Sequence, residues 1–510
     1  MQQHLITQFL VPAGIAVSCL LPVTLTHADD HHGRRQDLVQ AVLPVTHGVA
    51  AGDVRAHSAV IWSRSNARGW MHVRVTAPQD DHARQAVTPV TAERDFTGKV
   101  YVDGLRPDTD YTYTVWFSRE RDDHPRGSKG QHGRFHTAPR AERAAAVSFA
   151  WGGDLAGQNV CRDAQAGFPI FDTLNAMPLD FFIGLGDMIY ADGTCKAEGL
   201  YGNAQIAGDY SQSADMANYW AHWKYNRDDN GYRRLLASMP YYAIWDDHEV
   251  VNDFGPLSDT RSTPPYTAGQ HLLPLGLRAF LDYNPVAEPR NRPKRLYRTL
   301  RWGKHFELFV LDTRQYRDAN SENDDATLKK TMLGREQLTW LKARLKASDA
   351  TWKMIVSSVP ISIPTGYPAE NGRDGWSNFD QQTGFKQELL DVFRFLRDEG
   401  INNSLWITTD VHFAEVFRYT PFADTPDFKV HEFVTGPLNA GLFPNRDYDQ
   451  GLGAERLFFY GPENSVQNYA EARQWMNFGA VKIDEDGTLQ VGVYDVDGKR
   501  LYQQTLYPQP

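Results

Sequence analysis

An α/β layered domain of two sheets flanked by helices, preceded by an all-β sandwich, is the architecture this sequence predicts. Three observations predict it. Residues 46–137 carry alternating strand character, as in HGVAAGDVRAHSAVIWSRS and MHVRVTAP, a pattern that suits strands with one buried face. From residue 146 onward short, continuous apolar runs appear, among them FAWGGD, FFIGLGD, YYAIWDD and LWITTD. Bounded by Gly or polar residues, such runs read as strands buried on both faces. Between them lie stretches of helical period, and strand alternating with helix means a layered α/β domain.

The elements follow in order. Residues 1–28 contain no Lys, Arg, Asp or Glu, and the apolar run FLVPAGIAVSCLLPV leads to Thr26-His27-Ala28, a small-x-small site that reads as a secretory leader cleaved after Ala28. The rival reading is a membrane anchor, but Pro12, Gly14 and Pro22 break the run and it is short for a span. Cys19 follows a poor lipobox, and Arg34-Arg35 comes after the apolar stretch, where it cannot serve twin-arginine export. Within 46–137, Leu105-Arg106-Pro107-Asp108-Thr109-Asp110-Tyr111 suits a sandwich corner in which a Tyr hydroxyl bonds nearby backbone. A polar linker, 135–145, leads into the second domain, 146–505. There, residues 214–239 read as one helical region. Leu338, Leu341 and Leu345 repeat at helical spacing, as do Phe385, Leu389, Val392, Phe393 and Leu396 before a stop at Gly400. The chain closes in a hairpin around Asp497-Gly498.

Composition narrows the function classes. With 41% hydrophobic and 23% charged residues in 510, the chain is an ordinary globular protein of two or three domains. A formal charge of −10 argues against a nucleic-acid binder or an anionic-membrane binder, which want a basic surface. Removal of residues 1–28 leaves two of the three cysteines, Cys161 and Cys195. They follow Asp154 and Asp187 at nearly matched distances, and in an exported protein such a pair most simply forms a disulfide. The rival reading makes either thiol a metal ligand or nucleophile.

The chemistry lies at the strand ends. Four apolar runs end in Asp154, in Asp187, in Asp246-Asp247-His248 and in Asp410-x-His412. Ligands of open α/β sheets gather beyond the carboxyl ends of the strands, so four dispersed segments can converge on one pocket. Each alone has a duller explanation, a cap or a turn; the argument rests on their conjunction. Carboxylates and imidazoles converging in this way suit a pair of metal ions about 3.5–4 Å apart, which neutralise a phosphate ester and lower the pKa of a bridging water. Asp187 ends a Gly-Leu-Gly-Asp turn, Asp410 and His412 fall on the same side of an extended segment, and Tyr190 can add a phenolate to a ferric ion.

At this point the chain resembles the PhoD-type alkaline phosphatases and phosphodiesterases of the calcineurin-like metallophosphoesterase superfamily, over nearly all of its mature length. GVAAGDVRAHSAVIWSR is similar to the opening of that family's N-terminal β-sandwich, a fibronectin III-like domain. GLGDMIYADG, WDDHEVVND, FVLDTRQYRD and TTDVHFAEV match its catalytic domain in order. The resemblance implies metal ligation by Asp187, Tyr190, Asp410, His412 and Asp247, and gives His248 the part of stabilising the transition state or protonating the leaving group. Iron-containing members carry a cysteine in the first motif where this chain has Gly152-Gly153-Asp154. A carboxylate favours harder ions than a thiolate does, so Fe, Ca, Mn and Zn all stay open.

The expectation is an exported, metal-dependent phosphohydrolase in which a metal-bridging hydroxide attacks a small phosphomonoester or phosphodiester. Its alternatives are a phospholipase D-like phosphodiesterase and a non-catalytic exported protein that holds metal or phosphate. No stable nucleic-acid partner and no transmembrane anchor are expected. Segments 196–213, 256–275 and 370–380 are long and polar and are expected to form the rim.

Overall fold

The computed structural model describes residues 43–122, 130–256, 271–319, 324, 329–365, 374–377, 379 and 384–509. The expected leader lies outside them, as do most of segments 256–275 and 370–380. The all-β region supplies β1 (Thr46–Gly52), β2 (Ala59–Arg64), β3 (Gly69–Ala77), β4 (Asp80–Val90), β5 (Thr97–Val102), β6 (Asp110–Ser118) and β7 (Gln131–His136). Then come β8 (Val147–Gly152), α1 (Ile170–Ala176), β9 (Phe181–Leu185), α2 (Met216–Arg227), α3 (Asn230–Ser238), β10 (Tyr241–Ile244) and α4 (Leu273–Tyr283). A second set follows: β11 (Arg298–Trp302), β12 (Phe306–Val310), α5 (Gly334–Ala347), β13 (Trp352–Val356), α6 (Lys386–Asp398) and β14 (Ser404–Thr408). The chain ends with β15 (Ala414–Tyr419), β16 (Val430–Val434), β17 (Ala454–Tyr460), α7 (Tyr469–Gln474), β18 (Asn477–Ile483), β19 (Leu489–Asp495) and β20 (Arg500–Leu506).

These strands form three sheets. The first has the order β20-β19-β18-β8-β9-β10-β1-β2-β5, the second β11-β12-β13-β14-β16-β15-β17 and the third β4-β3-β6-β7. Strands β8, β9 and β10 run parallel, as do β12, β13, β14 and β16. Parallel strands need both faces covered, and the side chains of the second sheet divide accordingly. Leu308, Val310, Met354, Val356, Leu405 and Ile407 enter one core, shared with the first sheet. Phe309, Ile355 and Trp406 enter another, with Leu341 and Leu345 of α5 and Leu389, Val392, Phe393 and Leu396 of α6. The two-residue period of a strand therefore sorts its side chains between a sheet on one side and helices on the other. The large sheets meet through aromatic rings: Phe149 packs on Phe181 and Phe306, with centroids 4.7 and 4.9 Å apart.

Tertiary pairing amended two expectations. Strands β1, β2 and β5 do not form a sheet apart from the α/β region; they extend the first sheet beyond β10, with Gly52 opposite Tyr241. The helical region 214–239 is two helices, because Asp229 leaves helical geometry and its side chain accepts the Tyr232 N–H, an N-cap for α3. Other expectations hold in detail. Tyr111 is buried, its hydroxyl accepts the Arg106 N–H at 2.9 Å and donates to Asp80 at 3.0 Å. Gly400 follows α6 at φ 62°, and Gly498 turns the β19–β20 hairpin at φ 81°.

Candidate metal centre

The carboxyl ends of β8, β9, β10 and β14 carry the expected site residues, which stand just past those ends. Asp154 follows β8, Asp187 follows β9, Asp246, Asp247 and His248 follow β10, and Asp410 and His412 follow β14. Asp154, Asp187, Asp410 and His412 all take left-handed φ values, 62°, 51°, 83° and 60°. Such backbone costs free energy at a residue with a Cβ and is held only where its surroundings over-determine it. Glycine permits the remaining approach: Gly186 has φ 100°, and a Cβ there would lie 2.6 Å from the Asp246 Cβ.

The structure brings the acidic residues and His412 together. Asp154, Asp187 and His412 offer ligand atoms within 4.8 Å of one another, and so do Asp187, Asp247 and His248, and Asp246, Asp247 and Asp410. Asp187 belongs to the first two groups and Asp247 to the last two. One oxygen each of Asp154, Asp187, Asp246 and Asp410 is buried without a hydrogen-bond donor. An uncompensated carboxylate in the interior is costly and is met with protons or cations.

The electrostatics say the same. Burial lifts the Asp187 and Asp410 carboxyls well above the usual carboxylate range, and neighbouring carboxylates, Asp247 for the one and Asp246 for the other, add to the effect. Burial pushes Asp154 up to about 8 against the opposing hydrogen bond from Thr409. Burial likewise holds His412 down at about 3, so its imidazole is neutral. Its Nδ1–H donates to the Gly441 carbonyl, and its Nε2 accepts the Tyr190 hydroxyl at 2.8 Å. Carboxylate oxygens that give up their protons to a cation, clustered with a neutral imidazole nitrogen, are the donor set of a hard or borderline cation. The residues present fit a metal centre, with Tyr190 beside the Asp154–Asp187–His412 group.

His248 is held differently. Its Nδ1 lies 2.6 Å from Asp192 Oδ1, and its Nε2 lies 4.0 Å from Asp187 Oδ2. Burial lowers its pKa, but Asp192 and Asp247 outweigh that and push it up to about 10. Asp192 is itself fixed by accepting the Asn252 N–H at 3.0 Å. Sequence reasoning passed over Asp192, although it sits inside the GLGDMIYADG segment. It also passed over Arg314, whose fully buried guanidinium pairs with Asp246 and Asp374 and stands 3.7 Å from Asp247. Glu249, inside WDDHE, is a third omission: it accepts the N–H groups of Asp187, Met188 and Asp246.

Cys161 and Cys195 form a disulfide, Cα–Cα 5.9 Å, between the loops that follow β8 and β9. Above the carboxylates opens a cavity of about 240 Å³ lined by Asp187, Asp247, His248, Asp410 and His412 together with Gln158, Asn252, Phe443 and Arg446. Among the described residues no helix is long and apolar enough to cross a membrane.

The family described as PhoD-like phosphatase matches residues 149–490, and its N-terminal domain matches residues 33–139. The chain belongs to the PhoD-like phosphatase family. It is 26% identical to alkaline phosphatase D of Bacillus subtilis (strain 168) over 404 residues, 72% of this chain and 64% of the relative. The match thus spans just under two thirds of that relative's length. A solved structure titled "Structure of PhoD" superposes with a TM-score of 0.70 at 19% identity, covering 92% of this chain and 93% of that one. The fold is that of the family, and the buried carboxylate cluster occupies the rim of its central sheets.

Proposed function

We propose that this chain is a metal-dependent phosphohydrolase acting on phosphomonoesters, phosphodiesters or both. The observation that carries the reading is the set of buried, undonated oxygens on Asp154, Asp187, Asp246 and Asp410, of which Asp187 and Asp410 line the cavity. In this reading Asp154, Asp187, Tyr190 and His412 would hold one cation and Asp187, Asp247 and Asp410 a second, with Asp187 shared between the two positions. When bound, two such cations neutralise phosphoryl oxygens and acidify a water molecule.

The chain's own groups do the rest. Asp192 holds the Nδ1–H of His248, which turns Nε2 toward the cavity. From there His248 donates a proton to the departing oxygen as negative charge develops on it. Arg314 fixes one oxygen of Asp246, and Thr409 fixes one oxygen of Asp154, so neither carboxylate rotates away from the cluster. The division into 46–137 and 146–505 is part of this proposal, with β1, β2 and β5 of the first part completing the large sheet of the second, which carries the chemistry. Export through residues 1–28 belongs to the same proposal. It agrees with the Cys161–Cys195 disulfide, a bond that persists in oxidising compartments.

The test is hydrolysis of p-nitrophenyl phosphate and bis-p-nitrophenyl phosphate by protein loaded in turn with Mn, Ca, Zn or Fe. Activity that appears with metal and disappears on chelation is expected. A protein that binds metal yet cleaves neither ester, nor phosphatidylcholine, is a binding protein, and the reading fails.

A further inference from the structure

The cavity wall carries one guanidinium, and nothing so far accounts for it. Arg446 lies on the loop after β16, half-buried, and lines the cavity together with Asp187, Asp247 and Asp410. Among the described residues it makes no ion pair, whereas Arg314 is committed to Asp246 and Asp374. Its position is built: its guanidinium carbon sits 5.2 Å from the Phe443 ring centroid, and Phe443 stacks on His412 at 4.6 Å. Gly441 of the same loop accepts the His412 Nδ1–H. One loop thus orients a ligating imidazole and presents a cation beside it. The carboxylate of Asp410, a candidate ligand, acts on it electrostatically, and a cation held half-desolvated with no ion pair of its own is a site for an anion.

We propose that Arg446 binds a terminal phosphoryl oxygen of the substrate and biases the site toward phosphomonoesters. This rests on the phosphohydrolase reading above. A monoester has three terminal oxygens and nearly two negative charges, a diester two oxygens and one charge. Two cations held by the carboxylates would take up two oxygens of either. Only the monoester, or free phosphate, has a third, and the guanidinium can donate a charge-assisted N–H bond to it.

The experiment compares wild type, Arg446→Ala and Arg446→Lys, all metal-loaded, on p-nitrophenyl phosphate and bis-p-nitrophenyl phosphate. Binding of inorganic phosphate is followed by calorimetry. Loss of a charge-assisted pair corresponds to a factor of about 10–100. Arg446→Ala is therefore expected to raise KM for the monoester and weaken phosphate binding by that factor, with less than about threefold change on the diester. Arg446→Lys restores part of the phosphate affinity, since it keeps the charge and loses the guanidinium. Equal losses on both esters, no loss on either, or release of metal from Arg446→Ala overturns the proposal, the last by making the loop a support for His412 alone. Wild type that binds phosphate but cleaves neither ester defeats the phosphohydrolase reading and leaves the phosphate comparison to decide Arg446. Wild type that binds no phosphate overturns the Arg446 assignment too.

Discussion

The carboxylate of Glu249 accepts the backbone N–H of Asp187 at 3.1 Å, and with the same two oxygens it accepts the N–H groups of Met188 and Asp246 at 2.8 Å each. Glu249 is fully buried and is not among the residues lining the cavity; it ties the turn after β9 to the turn after β10. Both turns are left with N–H groups that no strand can use, since the parallel ladder ends at Leu185 and Ile244. Glu249→Gln replaces an acceptor oxygen with an NH₂ that faces those donors. The expected cost is about 1–3 kcal/mol for the unmet groups, visible as a lower Tm, together with weaker metal retention because Asp187 loses its fixed backbone. A variant with wild-type Tm and metal content would show that the turns hold themselves.

Asp187 is the residue shared by the Asp154–His412 group and the Asp247–His248 group. Asp187→Asn keeps the shape and removes the charge that both positions use. Metal analysis should find clearly fewer ions per chain than in wild type, and activity should fall further than for the same change at Asp154 or Asp410. Full metal content in Asp187→Asn takes it out of the bridging role.

His248 separates catalysis from ligation. With Nδ1 held by Asp192, its Nε2 serves the substrate in the proposed mechanism. His248→Ala should then lower turnover by roughly 10²–10⁴-fold, the range of a general acid, at near-normal metal content. Asp192→Asn should give a smaller loss in kcat with little change in KM, since the imidazole keeps its place but loses its charged partner. Loss of metal from His248→Ala makes it a ligand instead.

Much of this site was legible because its chemistry sits in short segments, each welded to a strand. Asp154, Asp187, Asp247, Asp410 and His412 are each within four residues of a strand end, and a continuous apolar run marks that end in the sequence. The supporting residues were not legible. Arg314 reaches Asp246 across 68 positions, and Gly441 reaches His412 across 29; no local pattern encodes either. The same holds for the fold. Strand period and the Tyr111 corner were readable, but the joining of β1 to β10 depends on one register, Gly52 against Tyr241, that only the folded chain specifies.

Metal removal should make the protein sensitive to alkali. Without cations, burial raises Asp154 to about 8 and lifts Asp187 and Asp410 well above the unfolded value near 4. A carboxyl with a raised folded pKa binds its proton more tightly in the native state, so stability is fully present below the unfolded pKa and is lost as pH rises through the folded one. The window therefore opens above about pH 4 and extends through pH 8. Bound cations replace those protons, so apparent metal affinity should rise with pH over the same range. Melting curves of chelator-treated and metal-loaded protein, taken from pH 6 to 9, should diverge as pH rises. Parallel curves would mean that the cluster stays ionised without metal.

The disulfide should act on the same centre from outside it. Cys161 stands on the loop that begins at Asp154 and Cys195 on the loop that begins at Asp187, a separation of 34 residues. Hydrogen bonds stitch the two loops further: Asn159 accepts the Lys196 N–H and a Gln205 amide N–H, each at 2.8 Å, and Gln205 accepts the Cys161 N–H at 3.0 Å. Closing a loop of that length restricts the unfolded chain by about 3–4 kcal/mol. Reduction should therefore lower Tm, and, because both loops carry carboxylates of the cluster, it should also speed the loss of metal to a chelator. The hydrogen bonds predict that the second effect is partial, since they hold the loops together after the covalent link is cut. Mass mapping of the unreduced protein checks the bond itself. Two free thiols on the folded protein would remove the brace and leave Asn159 and Gln205 as what joins the two loops.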